Sequence, residues 1–114
     1  MDSIVQYLVI NREILALGPG VLAAQAAHAA VAGYLVAADT DAARAWADGT
    51  FTKIALAVED EAALRRLGDE LTGAGIAHRV LEESRLQGRV TAIGLAPLLK
   101  SIAAPVVGRL PLLK

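Results

Sequence analysis

Two polar side chains stand out in an alanine-rich run near the start of the chain. Gln25 and His28 lie three residues apart within the segment 20–38, which contains no charged residue. Residues at this spacing share one face of a helix, so an amide and an imidazole would project together. An imidazole exchanges a proton near neutral pH, and a glutamine can orient a water molecule or an amide. The pair is therefore the first candidate for acid–base chemistry.

The same pair also has a purely structural interpretation. A glutamine or histidine on a helix packed against a sheet can bond neighbouring backbone groups, because an unsatisfied buried polar group costs about 1–3 kcal/mol. Just before the pair, the turn Gly18-Pro19-Gly20 would leave free N–H groups at the helix start, which favours an anion. Proline at a helix start is also common for structural reasons. No G-K-S/T follows the turn, so nucleoside triphosphate hydrolysis is not indicated.

The composition limits the classes of protein and of chemistry. A chain of 114 residues with 55% hydrophobic residues can bury a core as one domain, residues 1–114. The absence of cysteine excludes a thiolate nucleophile and zinc–thiolate sites. His78 is the only other histidine, and no His-x-x-x-His pattern occurs, so we expect no metal and no cofactor.

The segment 20–38 is about long enough to cross a bilayer. Its apolar residues are mostly alanine and it contains two polar side chains, so we predict a helix of a soluble protein and no membrane contact. Asp2 stands where a secretory signal would be basic, which favours a cytoplasmic location. The net charge of −1 argues against RNA binding unless basic residues cluster. The candidates for such a cluster are Arg12, Lys53, Arg79, Arg85, Arg89, Lys100, Arg109 and Lys114.

Predicted strands and helices alternate along the chain. Apolar runs and β-forming residues predict strands over 4–10, 51–58, 76–81 and 89–96. One helix is expected from residue 20, and a second is expected to end at Ala47 after a cap at Asp39 or Thr40. A third follows a cap at Asp60. A fourth is expected from about 100 to 109, with a kink or a later start at Pro105. This alternation predicts an α/β fold, a three-layer α/β/α sandwich with a four-stranded mixed sheet.

The first strand and helix carry a family resemblance. The residues Val5-Gln6-Tyr7-Leu8-Val9 and the stretch G-V-L-A-A-Q-A-A-H-A (20–29) resemble the type 2 peptidyl-tRNA hydrolases, whose helix reads G-K-x-A-A-Q-x-x-H-A. The similarity continues through Gly88-Arg89-Val90-Thr91 to Pro97 and to the closing residues 108–113. It is closest to the divergent branch called peptidyl-tRNA hydrolase domain-containing. The resemblance covers nearly the whole chain and implies a four-stranded mixed sheet between helices.

The resemblance also implies roles for particular residues. In the classical family a helix lysine, with an aspartate and a threonine from the loop before the last strand, is tied to ester hydrolysis; the lysine position is Val21 here. By position alone, Glu82 or Glu83 would replace the aspartate and Ser84 the threonine, while Thr91 is either a site residue or a plain strand residue. The implied catalytic residues are His28, Gln25, Thr91 and Glu82, and the implied substrate-binding residues are Gly20, Val21, Ser84 and Arg89.

Three functions remain open at this point. The resemblance implies an ester hydrolase whose partner is peptidyl-tRNA or the tRNA 3′ end. The loss of the lysine and of the aspartate–threonine loop is also compatible with a non-catalytic descendant that binds tRNA, a protein or a small molecule. Finally, the apolar segment Leu110-Pro111-Leu112-Leu113 would suit burial in a homodimer.

Overall fold

The computed structural model describes residues 2–114 and confirms the α/β class. Short 3₁₀ helices lie at Arg12–Leu17 and Ser84–Leu86. The other elements, in chain order, are β1 (Ile4–Asn11), α1 (Pro19–Val36), α2 (Asp41–Asp48), β2 (Lys53–Val58), α3 (Glu61–Gly73), β3 (His78–Glu83), β4 (Arg89–Leu95), β5 (Leu98–Leu99) and α4 (Lys100–Val107).

The sheet is mixed, as the sequence predicts. Its four longer strands lie in the order β2-β1-β4-β3, with β1 and β2 parallel and the other neighbours antiparallel. The two-residue strand β5, which was not predicted, pairs with the start of β1. β1 therefore lies in the middle of the sheet between β2 and β4, and β3 lies at the far side of β4.

The side chains of β1 divide between two parts of the core. Val5, Tyr7 and Val9 join a cluster with residues of α3 and α4. Leu8 and Ile10 point the other way and join a cluster with residues of α1. Since successive strand residues face opposite sides of a sheet, α1 packs on one face and α3 with α4 on the other.

Small residues let α1 approach β4 backbone to backbone. A Cβ atom on Gly94 would lie 1.9 Å from the carbonyl oxygen of Ala29, and one on Gly33 would lie 2.6 Å from the carbonyl oxygen of Leu95. By length and composition alone α1 could span a membrane. Its buried residues, Gln25, Ala29 and Gly33, pack against the sheet, so this face of the helix is covered by protein.

The C-terminal residues pair with the outer edge of β2. Ala57 N donates to the carbonyl of Pro111, and Leu113 N donates to the carbonyl of Ala55. The segment 110–113, which the sequence suggested for a partner, is therefore used within the chain. Leu112 alone in this segment leaves a large exposed apolar side chain.

Local signals placed most element ends correctly. The side chain of Asp60 caps α3 as predicted, and Thr40 is the one of the two predicted candidates that caps α2. The third strand, however, runs over 78–83 and not 76–81, because Ile76 N donates to the carbonyl of Leu71 and closes the end of α3. Pro105 lies inside α4, which begins at Lys100 and ends at Val107, two residues earlier than expected.

Candidate active site

A groove of about 530 Å³ opens between the first half of α1 and the end of β3. The strand end and the 3₁₀ helix that follows it form one wall, and α1 forms the other. The lining residues are Gly20, Val21, Ala24, Gln25, His28, Glu83, Ser84, Arg85 and Leu86. The groove therefore contains both members of the polar pair that the sequence singled out.

Four polar side chains form a line from the core to this groove. Thr91 Oγ1 donates to Gln25 Oε1 over 2.6 Å, and Gln25 Nε2 donates to Glu83 Oε2 over 2.9 Å. The same Glu83 oxygen lies 3.9 Å from His28 Nε2, an ion-pair distance. Exposure rises along the line: Thr91 is 0% and Gln25 4% exposed, and the side chains of Glu83 and His28 are 16% and 55% exposed. We call these residues the Thr–Gln–Glu–His chain.

The hydrogen-bond partners of Gln25 are not the neighbouring backbone groups that a purely structural role predicts. Both ends of its amide bond side chains and not backbone groups, and its partners come from residues 58 and 66 positions away in sequence. The glutamine therefore connects α1 to both β3 and β4. It fixes the orientation of a carboxylate at the groove surface, because a buried amide with two partners has little freedom to rotate.

A β-bulge turns Thr91 toward α1. Leu81 is opposite Ala92, but the next residue, Glu82, is opposite Val90, so Thr91 is the extra residue on β4. Ala92 packs in the α1 cluster and Val90 in the opposite one. Because Thr91 also faces α1, two successive residues point to the same side, as a bulge permits. Regular alternation counted back from Ala92 would instead turn Thr91 away from Gln25.

Side chains from other elements bond the backbone next to the bulge. Asn11 Nδ2 donates to the carbonyl of Val90 over 3.1 Å, and Val90 N donates to Glu61 Oε1 over 3.3 Å. Asn11 is fully buried. Both backbone groups of Val90 thus have partners near the interrupted strand ladder, which lowers the cost of the irregularity.

Glu83, and not Glu82, is the acid of the groove. Glu82 is exposed and does not line the cavity, since alternation along β3 points it away from α1. Glu83 also accepts from Arg85 N and so caps the 3₁₀ helix. The hydrogen bond from Gln25 is the main cause that lowers the pKa of Glu83, followed by the Arg85 N–H and the charges of His28 and Arg85. Glu83 is therefore ionised at neutral pH.

The structure places three of the four predicted substrate-binding residues in the groove. Gly20, Val21 and Ser84 line the groove, whereas Arg89 is exposed and is not part of the lining. The groove also contains Arg85, which was predicted only as one of many basic residues, and Leu86, which was not predicted. No local pattern marks these two residues, because the 3₁₀ helix that presents them lies in a loop whose course depends on the β3–β4 pairing.

Arg85 brings a positive charge into the groove. Val21, at the start of α1, lines the same groove. None of the ion pairs formed among residues 2–114 uses this guanidinium. In the same part of the chain, no three His, Cys, Asp or Glu side chains lie close enough together to hold a metal ion. The chemical groups of the groove are thus an imidazole, a carboxylate, a guanidinium and the free N–H groups of a helix start.

The fold and this groove define an α/β protein with a polar groove between a helix and a strand end. Residues 4–113 match the family model described as peptidyl-tRNA hydrolase PTH2, and the chain belongs to that family.

Two curated relatives are similar to this chain over most of its length. A protein of Schizosaccharomyces pombe named "Probable peptidyl-tRNA hydrolase 2" is 33% identical over 111 residues, which cover 92% of this chain and 54% of that protein. A Haloquadratum walsbyi protein named "Peptidyl-tRNA hydrolase" is 34% identical over 93 residues, which cover 78% of this chain and 82% of the relative. The chain thus spans about half the length of the yeast relative.

Proposed function

We propose that this chain hydrolyses the ester that joins a peptide or an amino acid to tRNA. The observation that carries the proposal is the Thr–Gln–Glu–His chain, which ends at an exposed imidazole in a groove of about 530 Å³. The family of the chain and the names of both relatives support the same substrate.

We assign the general base to His28 and a positioning role to Glu83. A carboxylate whose pKa is lowered holds a proton poorly, so Glu83 is the weaker base of the two. Its Oε2 atom lies 3.9 Å from His28 Nε2, where the carboxylate can hold the imidazole in position. Gln25, which accepts from Thr91, holds the carboxylate in place. This division of roles is the one used by histidine–carboxylate pairs in hydrolases.

The reaction needs only water as co-reactant. A water oxygen attacks the ester carbonyl carbon while one of its protons passes to His28. The tetrahedral intermediate then breaks its bond to the ribose oxygen, and His28 returns the proton to that oxygen. The products are a peptide acid and a tRNA with a free 3′-terminal hydroxyl, so all atoms and charges balance.

Anionic parts of the substrate would bind at the two positive features of the groove. Gly20 and Val21 precede the first backbone hydrogen bond of α1, from Leu22 N to the carbonyl of Gly18, so their N–H groups are free for an anion. Arg85 lies on the facing wall. The helix start is about 11 Å from His28 along the helix axis.

The test is release of tRNA from an N-blocked aminoacyl-tRNA by the purified protein. We expect His28→Gln to abolish turnover and Glu83→Gln to reduce it, since general-base catalysis contributes about 10²–10⁴-fold. His78→Gln is a matched control for the histidine and Glu82→Gln for the acid, because neither residue lines the groove. Both controls should retain wild-type rates.

Two results would refute this assignment. Wild-type protein that releases no tRNA at high enzyme concentration would show that the fold serves binding and not hydrolysis. Turnover that survives His28→Gln but not Glu83→Gln would transfer the role of base to the carboxylate.

We also propose a cytoplasmic location, a single domain over residues 1–114 and contact with tRNA but not with membranes. A homodimer remains part of the proposal, with Leu112 as the exposed apolar side chain of the C-terminal segment. Sedimentation of the wild-type protein and of Leu112→Ser tests this proposal. We expect the wild type to sediment as a dimer and Leu112→Ser as a monomer.

A further inference from the structure

A second cavity lies on the other half of α1, beside α2 and the start of β2. It has a volume of about 360 Å³ and shares no lining residue with the groove of the active site. Its lining residues are Ala30, Val31, Tyr34, Trp46, Ala47, Phe51 and Lys53. Three of these are aromatic and none is acidic; we call the cavity the aromatic pocket.

The rings of the aromatic pocket are held at fixed angles. Trp46 lies 5.9 Å from Tyr34 and 5.3 Å from Phe51 between ring centroids, with the Phe51 ring edge-on at 86°. Trp46 Nε1 donates to the carbonyl of Thr52 over 2.8 Å, which fixes the indole at the base of the pocket. These pairs form a rigid apolar wall of the kind on which a flat ligand stacks.

Phe51 is not a normal core residue. It has a φ of 55°, in the left-handed region that a bulky side chain rarely adopts. Its side chain nevertheless gains little burial, since the residue is 54% exposed. A position with this backbone geometry would ordinarily favour glycine. An exposed aromatic ring retained in a strained conformation points to a use for the ring itself.

Lys53 supplies one positive charge above these rings. Its Nζ lies 5.0 Å from the Trp46 centroid and 5.6 Å from that of Phe51, and it donates to the carbonyl of Phe51. None of the ion pairs among residues 2–114 contains Lys53. The charge is therefore available to a ligand anion next to the aromatic wall.

We propose that the aromatic pocket binds a nucleotide, with the base stacked against Phe51 and the phosphate at Lys53. Base stacking on aromatic side chains combined with a nearby cation is the general mode of single-stranded nucleic-acid binding. A cationic ligand would be repelled by Lys53 and would find no acidic side chain in the pocket. An aromatic side chain of a protein would fill the pocket but leave the charge of Lys53 unpaired.

The aromatic pocket continues toward the active site along α1. Val31 lines this pocket and also a shallow cavity that contains His28 and Arg79. Val31 follows His28 by one helical turn and lies on the same face. On the basis of the proposed function, we infer that the bound nucleotide belongs to the unpaired end of the tRNA substrate. The binding of a nucleotide by itself does not depend on that function.

The experiment uses Trp46, the only tryptophan of the chain, as the reporter. Its fluorescence, excited at wavelengths where adenine does not absorb, is followed as adenosine monophosphate and a short single-stranded RNA are added. We expect saturable quenching, with adenosine and inorganic phosphate each binding more weakly than the monophosphate. Phe51→Gly should weaken binding about 5-fold or more, as expected for loss of one stacked base. Lys53→Gln should weaken binding of the monophosphate but not of adenosine.

Three controls keep the result interpretable. Phe51→Gly suits the left-handed backbone at this position, so its thermal unfolding should show an intact fold. Lys100→Gln removes an exposed lysine outside the pocket and should not change binding. His28→Gln should abolish hydrolysis and leave nucleotide binding unchanged, which separates this proposal from the proposed function. Absence of quenching at millimolar nucleotide, or equal binding by Phe51→Gly, would overturn the proposal, as would tighter binding of an aromatic peptide than of the RNA.

Discussion

Replacement of Gln25 with methionine tests whether the Thr–Gln–Glu–His chain is a coupled unit. Methionine nearly matches the glutamine in length, so the substitution removes two hydrogen bonds with little change in packing. The hydroxyl of Thr91, which is fully buried, then has no partner. Leaving such a group unsatisfied costs about 1–3 kcal/mol, and this is the expected loss in free energy of unfolding.

The second substitution, Thr91→Val, should reduce the cost of the first. When both partners become apolar, no buried hydroxyl remains unpaired, so the double variant should be more stable than the sum of the single changes predicts. We expect a coupling free energy of about 1 kcal/mol, measured by urea unfolding of the four proteins in a double-mutant cycle. Thr50→Val, at an exposed position, provides a control pair that should be additive with Gln25→Met.

The Gln25→Met substitution should also change the titration of Glu83. The hydrogen bond from Gln25 is the main cause that lowers the pKa of this carboxyl, so its removal should raise the pKa toward the ordinary value for glutamate. Carboxyl resonances followed by NMR during an acid titration would report the change. Additive energies in the cycle together with an unchanged Glu83 pKa would refute the idea that Gln25 links Thr91 to the groove.

Two further predictions concern pH and packing. Because the pKa of Glu83 is lowered by folding, its contribution to stability should be fully present above the ordinary glutamate pKa of about 4.3 and lost as the pH falls further. The difference in unfolding free energy between wild type and Glu83→Gln should therefore shrink in acid; a difference that is constant with pH would contradict the assignment. Gly94→Ala should destabilise the protein by about 1–3 kcal/mol or more in chemical denaturation, since its Cβ would lie 1.9 Å from the carbonyl oxygen of Ala29. Gly73→Ala, where a Cβ meets nothing within 4 Å, is the matched control, and equal effects of the two changes would contradict the close helix–strand contact.

The site shows how far local patterns can predict a function. The helix face shared by Gln25 and His28 follows from a spacing of three residues, which needs no knowledge of distant parts of the chain. The family resemblance then directed attention to Thr91 and to the adjacent glutamates. The choice between Glu82 and Glu83, however, depends on which side of β3 faces α1, and no contact between neighbours in sequence determines this.

The sequence by itself determined the α/β class, the alternation of elements, the cap at Asp60 and a cap at Asp39 or Thr40, because helix periodicity and capping arise from contacts within a few residues. Only the tertiary structure decided the position of the bulge at Thr91, the place of Arg85 in the groove and the pairing of the C-terminal segment with β2. Each of these depends on the register between strands far apart in the chain. Since a shift of one residue reverses every side chain of a strand, register decides which polar groups meet and cannot be obtained from local patterns alone.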